Sequence, residues 1–188
     1  MIEDFILCKS GAVPYEMCHY LKLFFEQNSD WHKKGGIGGS KFITDECKKK
    51  CTEIFISKDH DTFRLIGPYL ESACNEYIEK YPALNSCLSS WGQWKRFKIQ
   101  KYNPNEGYFV EHIEYSEDEW SLRRVMAWMI YLNDVTDGGY TEFSTQKKRF
   151  QPRTGDILIW PAGWTHPHRG IVSKTQTKYI ATGWYTLN

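Results

Sequence analysis

The chain has 188 residues, with 24 lysines and arginines, 23 aspartates and glutamates, and a formal net charge of +1. This length predicts one domain that is large enough to bury a sizeable core. The balanced charge argues against a dedicated nucleic-acid binder and against an electrostatic membrane anchor, and an aromatic content of 16% excludes intrinsic disorder.

The N-terminal residues show no basic leader before a long apolar run and no small-residue cleavage site, so they do not predict a secretory signal. No segment approaches the roughly 20 consecutive apolar residues of a membrane-spanning helix. We therefore expect a cytoplasmic protein with no membrane partner. In that compartment its 6 cysteines are expected to be reduced thiols rather than disulfides.

Two segments before residue 91 repeat their apolar residues at helical spacing. One spans 17–25 and follows Pro14, and the other spans 66–78 and is ended by Pro82. Both patterns predict amphipathic helices that pack on another layer. Between them, the sequence KGGIGGS at 34–40 predicts a flexible connector, and a lid over a site is one hypothesis for it.

After residue 91 the apolar segments become short and strand-like, and glycine and proline separate them. The predicted strands lie at 97–100, 108–115, 124–132, 155–160 and 178–185. This change predicts an α+β fold with an antiparallel β domain. We expect a single domain over 1–188, in which 1–90 supply mainly helical support and 91–188 form the β core.

His112 and Glu114 are candidates for a metal site. Because side chains alternate between the two faces of a strand, a strand over 108–115 would project both residues to the same side. A second histidine from a neighbouring strand would complete the facial triad of two histidines and one carboxylate, which leaves coordination positions open for oxygen chemistry. The same ligand types also serve zinc, and a His-x-Glu pair is common on solvated strand faces.

The C-terminal half carries several further motifs in a fixed order. They are Tyr102 and Tyr108 before His112-Ile113-Glu114, then Tyr131-Leu132-Asn133, Gly138-Gly139-Tyr140-Thr141-Glu142-Phe143, and His168 followed by Gly170, Lys178 and Trp184. In order and spacing, the segment from about 97 to 185 resembles the catalytic core of the 2-oxoglutarate/Fe(II)-dependent dioxygenases. It is most similar to their prolyl 4-hydroxylase-type branch.

This resemblance implies a double-stranded β-helix (jelly-roll) core supported by the N-terminal helices. It also implies a catalytic iron held by His112, Glu114 and His168. Lys178, by the same resemblance, pairs with the distal carboxylate of 2-oxoglutarate, since a buried ammonium requires an anion.

The cosubstrate pocket implied by the resemblance has three further members. Tyr102 and Thr141 are candidate hydroxyl donors around 2-oxoglutarate. Trp184 shares its strand parity with Lys178, so it is expected to wall the same pocket. Simple core packing is the alternative interpretation of the tryptophan.

The implied function is hydroxylation of an unactivated C–H bond, most simply in a peptidyl proline. Fe(II) and 2-oxoglutarate are the implied cofactor and cosubstrate, and ascorbate is a further candidate. The expected partners are dioxygen and a peptide, protein or small-molecule substrate, with no nucleic acid. The alternatives are a zinc-dependent hydrolase or lyase and a non-catalytic jelly-roll binding module, and the sequence indicates no oligomeric state.

The chain departs from the family pattern at two positions. Glu114 stands where most of the family has aspartate. An additional histidine, His166, precedes His168 by two residues and would face the same way in an extended segment, but the spacing to glycine, lysine and tryptophan favours His168. Arg124 and Arg169 are interpreted as surface residues, with contact to an acidic substrate as the alternative.

Overall fold

The structure is a computed structural model that describes residues 3–38, 43–88 and 90–188. The helices are α1 (Tyr15–Gln27), α2 (Asp61–Lys80), α3 (Ala83–Cys87) and α4 (Glu119–Leu122), with a 3-10 turn at Ser29–Trp31. The strands are β1 (Leu7–Lys9), β2 (Lys33–Lys34), β3 (Lys49–Lys50), β4 (Thr52–Ser57), β5 (Trp91–Gln93), β6 (Arg96–Tyr102), β7 (Gly107–Tyr108), β8 (Arg124–Tyr131), β9 (Thr141–Phe143), β10 (Lys148–Phe150), β11 (Ile157–Pro161), β12 (His168–Gly170) and β13 (Lys178–Leu187).

The two predicted amphipathic helices are confirmed as α1 and α2. Pro14 is the residue before the first turn of α1, where its missing N–H costs nothing. The helices bury Leu21 and Phe25 of α1 and Ile66 and Leu70 of α2 in one apolar cluster against the large sheet. Among the described residues, no helix is both long and apolar enough to cross a membrane.

The large sheet has the strand order β1-β11-β8-β13-β6-β4-β2, with β5 also paired to β13. Its central strands are buried on both faces, and their side chains alternate between two apolar clusters. On β8, Trp128 and Ile130 join the cluster under the helices, whereas Met129 and Tyr131 join a second cluster on the other face. The helices therefore cover one face of the sheet only.

A smaller sheet of order β10-β9-β12 covers the other face. Phe143 on β9 packs edge-on against Trp160 on β11, with 5.5 Å between ring centroids, and both belong to the second apolar cluster. On β13, the side chains of Lys178 and Trp184 lie on the same face of the large sheet as this second cluster. The space between the two sheets is where the chemistry-bearing side chains of the C-terminal half meet.

Two features of the N-terminal half differ from the sequence-based expectation. β4 lies inside the large sheet next to β6, and β1 pairs with β11, so the first 90 residues supply strands as well as helical support. The start of the connector predicted at 34–40 packs closely on the residue before β4. Gly35 donates its N–H to the Cys51 carbonyl at 2.8 Å, and a Cβ at Gly35 would lie 2.3 Å from the Cys51 sulfur. Gly39 and Ser40 of that connector lie outside the described residues.

The predicted strand over 108–115 is wrong. Only Gly107–Tyr108 forms a strand, and the chain then continues as an irregular segment touched by one isolated bridge between His112 and His168. An alternating pattern carries only short-range information. Here the backbone groups after Tyr108 bond to three separate parts of the chain, at Lys48, His168 and Ala162, instead of to one neighbouring strand.

Candidate metal centre

His112, Glu114 and His168 come together between the two sheets. Each offers one ligand atom, and these atoms lie within 4.8 Å of one another. His112 and His168 exchange both backbone hydrogen bonds at 2.9 Å, which brings the loop histidine beside the strand histidine. The Glu114 N–H bonds to the Ala162 carbonyl at 3.2 Å, and its Oε1 lies 3.3 Å from His168 Nε2.

Backbone carbonyls fix the orientation of both imidazoles. His112 Nδ1 lies 3.2 Å from the Val110 carbonyl, and His168 Nδ1 lies 3.0 Å from the His166 carbonyl. Because a carbonyl only accepts, both Nδ1 atoms donate, and each Nε2 is turned toward the ligand cluster. Burial lowers the pKa of His112 to about 3, with His168 adding to the effect, so His112 is neutral at physiological pH.

Glu114 is held at both carboxylate oxygens. Trp184 donates its indole N–H to Oε2 at 2.7 Å, which leaves Oε1 on the side of His168. Burial alone would raise the pKa of Glu114, but His168, His112 and Arg124 lower it far below its usual range, so it is a carboxylate. The longer glutamate arm thus reaches the histidines from a loop while the far oxygen stays hydrogen-bonded.

His166 has a different role from His168. Its Nδ1 lies 2.8 Å from the Thr165 hydroxyl and its Nε2 lies 2.9 Å from the Asp4 carbonyl, so both ring nitrogens are engaged away from the ligand cluster. The expectation that His166 and His168 face the same way is wrong. The chain before His168 turns, with the His166 N–H bonded to the Gly163 carbonyl, and the alternation of an extended strand does not apply.

A cavity of about 430 Å³ opens over the three ligands, and Lys178 lies on its wall. The Lys178 side chain is 6% exposed and donates to the Gly139 carbonyl at 3.0 Å. In the described part of the chain, no carboxylate pairs with its ammonium. Burial lowers the pKa of Lys178 to about 8, because the charged form has lost its water without gaining a counter-charge.

Tyr102 and Thr141 line the same cavity. The Tyr102 hydroxyl donates to the Gln100 amide oxygen at 3.4 Å, and burial raises its pKa well above the usual value. Thr141 Oγ accepts a hydrogen bond from the Tyr131 hydroxyl at 2.7 Å. All seven residues selected from the sequence therefore lie around one cavity, with Trp184 on the carboxylate side of the cluster.

Sequence reasoning missed a buried charge cluster beside the same cavity, which Lys49 and Gln100 line. Lys49 is 3% exposed and donates to Glu53 Oε2 at 2.9 Å and to the Gly36 carbonyl at 3.1 Å. Glu53, fully buried, also accepts from the Gln100 amide at 2.7 Å. These residues lie on β3, β4 and β6, and the run of β-branched residues in Thr52–Ser57 was the available signal for β4.

The interpretation of Arg124 as a surface residue is wrong. Its guanidinium stacks on the Trp184 ring at 3.9 Å from the centroid and donates to the Glu114 carbonyl at 2.6 Å. Its side chain is 19% exposed. Arg169, by contrast, is exposed and pairs with Glu142 at 2.7 Å.

The site geometry agrees with a comparison with known families. The model described as the 2OG-Fe(II) oxygenase superfamily matches residues 97–186, which contain all seven selected residues. Residues 97–186 belong to that superfamily. The resemblance of this segment to the 2-oxoglutarate/Fe(II)-dependent dioxygenases is confirmed.

A curated relative supports the branch within this superfamily. The chain is 25% identical over 159 residues to a protein of Acanthamoeba polyphaga mimivirus named "Putative prolyl 4-hydroxylase". The match covers 76% of this chain and 60% of the relative, so the chain spans less than two thirds of the relative's length. The resemblance to the prolyl 4-hydroxylase-type branch is thereby confirmed.

Solved structures share the fold. The viral collagen prolyl hydroxylase of Paramecium Bursaria Chlorella virus-1, solved with 2-oxoglutarate, has a TM-score of 0.70 at 15% identity, covering 98% of this chain and 96% of that one. The prolyl hydroxylase of Trichoplax adhaerens, solved with a hypoxia inducible factor peptide fragment, has a TM-score of 0.72 at 15% identity, covering 97% and 84%. The predicted α+β jelly-roll fold is confirmed.

Proposed function

We propose that the protein is an Fe(II)- and 2-oxoglutarate-dependent dioxygenase that hydroxylates an unactivated C–H bond of a peptidyl substrate, in the manner of a prolyl 4-hydroxylase. One observation carries the proposal. Two histidines and one ionised carboxylate line one cavity, and a buried lysine with no carboxylate partner among the described residues lines the same cavity.

His112, Glu114 and His168 would hold the iron. Two imidazoles that present their Nε2 atoms and one ionised carboxylate are the donor set of non-haem iron oxygenases, so the residues suit the metal. When bound, the iron activates dioxygen for oxidation of the substrate and the cosubstrate. The backbone carbonyls behind both histidines keep the Nε2 atoms aimed at the common point.

Lys178 would bind the distal carboxylate of 2-oxoglutarate. Its ammonium is buried, and an anion would restore the favourable electrostatics that burial removed. Thr141 Oγ accepts from Tyr131 and donates to the Met129 sulfur at 3.6 Å, a weak acceptor that a carboxylate oxygen would replace. Tyr102 lies beside the ammonium, which is 5.1 Å from its ring centroid, and stays protonated as a second donor.

The peptidyl substrate, the domain organisation and the remaining partners are parts of the same proposal. The name of the viral relative and the peptide held by the Trichoplax adhaerens enzyme support a peptide substrate. We propose a single oxygenase domain over 1–188, since β1 and β4 complete the large sheet. A cytoplasmic location agrees with the free thiols of the described cysteines, and ascorbate would keep the iron reduced.

An anaerobic titration tests the chemistry. Metal-free protein is given Fe(II) and then 2-oxoglutarate under nitrogen, and we expect a weak visible charge-transfer absorption. Admission of air should then produce succinate, and a library of proline-containing peptides should yield a product heavier by one oxygen. His112→Ala should abolish iron binding, whereas His19→Ala, an exposed histidine on α1, should leave it unchanged.

Two results would refute the proposed function. One is catalysis by the zinc-loaded protein without 2-oxoglutarate, as expected of a zinc hydrolase or lyase. The other is the absence of both the absorption and succinate in a folded protein, as expected of a non-catalytic binding module.

A further inference from the structure

A second cavity, which we call the basic cleft, opens directly beside the metal centre. Its volume is about 720 Å³. It is lined by Lys33, Gly38, Phe55, Trp94, Lys95, Arg96, Lys98, Asp118, Trp120, Arg124, Trp184 and Thr186. Gly38, Lys98, Arg124 and Trp184 also line the cavity over the metal ligands, so the two spaces are continuous. A chain segment next to a residue bound at the metal centre could therefore extend into the cleft.

The cleft is strongly positive. Among the described residues that line it are five lysines and arginines and one carboxylate, Asp118, whereas the whole chain has a net charge of only +1. The Asp118 carboxylate is already used: it caps the N-terminus of α4 by accepting the N–H groups of Trp120 and Ser121 at 3.1 Å. Concentrating cations in a low-dielectric cleft focuses the field and attracts anions.

Three of these cations have no acidic partner in the chain as described. Lys33, Lys95 and Arg96 are exposed and make no ion pair with any residue in 3–38, 43–88 or 90–188, although 15 such pairs occur elsewhere in these ranges. Arg96 lies over the Phe55 ring at 5.2 Å, which orients its guanidinium without neutralising it. The three side chains remain available to an external carboxylate.

Aromatic rings line the same cleft. Trp94 and Trp120 lie 5.8 Å apart between ring centroids, and Trp120 is 53% exposed. Phe55 and Trp184 also line the cleft, and Trp184 lines the cavity over the metal ligands as well. Exposed indole faces are the surfaces on which proline rings and extended backbones pack in peptide-binding grooves.

We propose that the basic cleft binds an acidic peptide segment that flanks the residue to be hydroxylated. Carboxylates of this segment would pair with Lys33, Lys95 and Arg96, and its backbone or proline rings would pack on Trp94 and Trp120. The proposal rests on the proposed function, since it names the class of peptide that the metal centre would act on. Cations with aromatic rings also suit single-stranded nucleic acid, but the near-neutral chain lacks the extended basic surface of such proteins.

Peptide binding without turnover tests this proposal. Three short fluorescent peptides, each with one central proline, are compared. The first has aspartates and glutamates beside the proline, the second has asparagines and glutamines in their place, and the third has lysines. Fluorescence anisotropy is measured with the Fe(II)- and 2-oxoglutarate-loaded protein under nitrogen. We expect the acidic peptide to bind about tenfold more tightly than its amide counterpart, with a difference that shrinks as salt is added.

A matched pair of charge reversals locates the effect. The double variant Lys95→Glu/Arg96→Glu should lose the preference for the acidic peptide and gain affinity for the lysine peptide. The control Arg153→Glu/Lys174→Glu changes the net charge equally at exposed residues that line neither cavity, and it should keep the preference. Circular dichroism checks that both variants fold, and the peptide comparison on the unaltered protein requires no variant.

Three outcomes would overturn the proposal: equal affinity for the acidic and amide peptides, an unchanged preference in Lys95→Glu/Arg96→Glu, or tighter binding of a single-stranded oligonucleotide than of the acidic peptide. Succinate formation from 2-oxoglutarate in air, measured without peptide, reports separately on the proposed function. Retained succinate formation with no charge preference refutes the cleft alone, whereas loss of succinate formation from the unaltered protein refutes the oxygenase.

Discussion

Replacing Trp184 by phenylalanine removes one hydrogen bond from the metal centre and little else. The indole N–H donates to Glu114 Oε2 at 2.7 Å, and the Arg124 guanidinium lies 3.9 Å from the ring centroid. Phenylalanine keeps an aromatic ring on which Arg124 can stack. Glu114, however, loses the donor that holds its far oxygen and can rotate away from His168.

The expected magnitude follows from this geometry. A hydrogen bond to a charged group contributes about 1.5–3 kcal/mol. If most of that energy keeps the Glu114 carboxylate oriented, its loss corresponds to an affinity for metal that is about 10- to 100-fold weaker. Affinity for 2-oxoglutarate in the metal-loaded protein should change far less, because Lys178 is untouched.

Calorimetric titration of the metal-free protein with Mn(II) measures this loss. Trp128→Phe is the matched control: the Trp128 indole N–H is buried with no hydrogen-bond partner in the described part of the chain, and its ring faces the helices. It should lower stability, since a large ring is removed from the core, but leave metal affinity unchanged. Equal metal affinities for Trp184→Phe and the unaltered protein, or equal losses in both variants, would refute the reasoning.

Three further predictions concern the same cavity. Glu114→Asp shortens the side chain by one methylene and so moves the carboxylate away from His168, which now lies 3.3 Å from it. Mn(II) binding should weaken at least about tenfold. A folded variant that still binds Mn(II) tightly would show that the longer side chain is not required. Lys178→Ala should leave metal affinity intact while lowering 2-oxoglutarate affinity by about 2–5 kcal/mol. Because the pKa of Lys178 is lowered to about 8, its ammonium loses its proton above that pH. The affinity for 2-oxoglutarate should therefore fall about tenfold per pH unit above pH 8, and Lys178→Arg should abolish this pH dependence. Lys49→Met leaves Glu53 without its nearest cation, and urea denaturation should show a free energy of unfolding that is lower by about 3 kcal/mol. Part of this stability should return in Lys49→Met/Glu53→Gln.

The structure explains why a glutamate, and not an aspartate, suits position 114. The segment after Tyr108 leaves the sheet, so the carboxylate approaches the histidines from a loop. A glutamate reaches His168 with one oxygen while the other stays on Trp184. The departure from the family's usual aspartate is therefore matched by a donor on the neighbouring strand.

Local patterns in the sequence determined the helices, the main strands and the types of site residue. Apolar residues at helical spacing fixed α1 and α2, because an amphipathic stripe can only be buried on one side of a helix. Strand parity placed Lys178 and Trp184 on one face of β13, since side chains alternate with a strict period of two. Spacing relative to Lys178 likewise selected His168 from two neighbouring histidines.

Only the tertiary structure decided what the irregular segments do. The turn before His168 sends His166 to the Asp4 carbonyl, 162 residues away in sequence. The loop carrying Glu114 is fixed by bonds to Ala162, directly after β11, and to Trp184 on β13. The buried pair of Lys49 and Glu53 was equally invisible. The two residues are four positions apart, but their buried cluster also requires Gln100 on β6, which donates to Glu53. Such positions depend on contacts between distant parts of the chain, and no local periodicity encodes them.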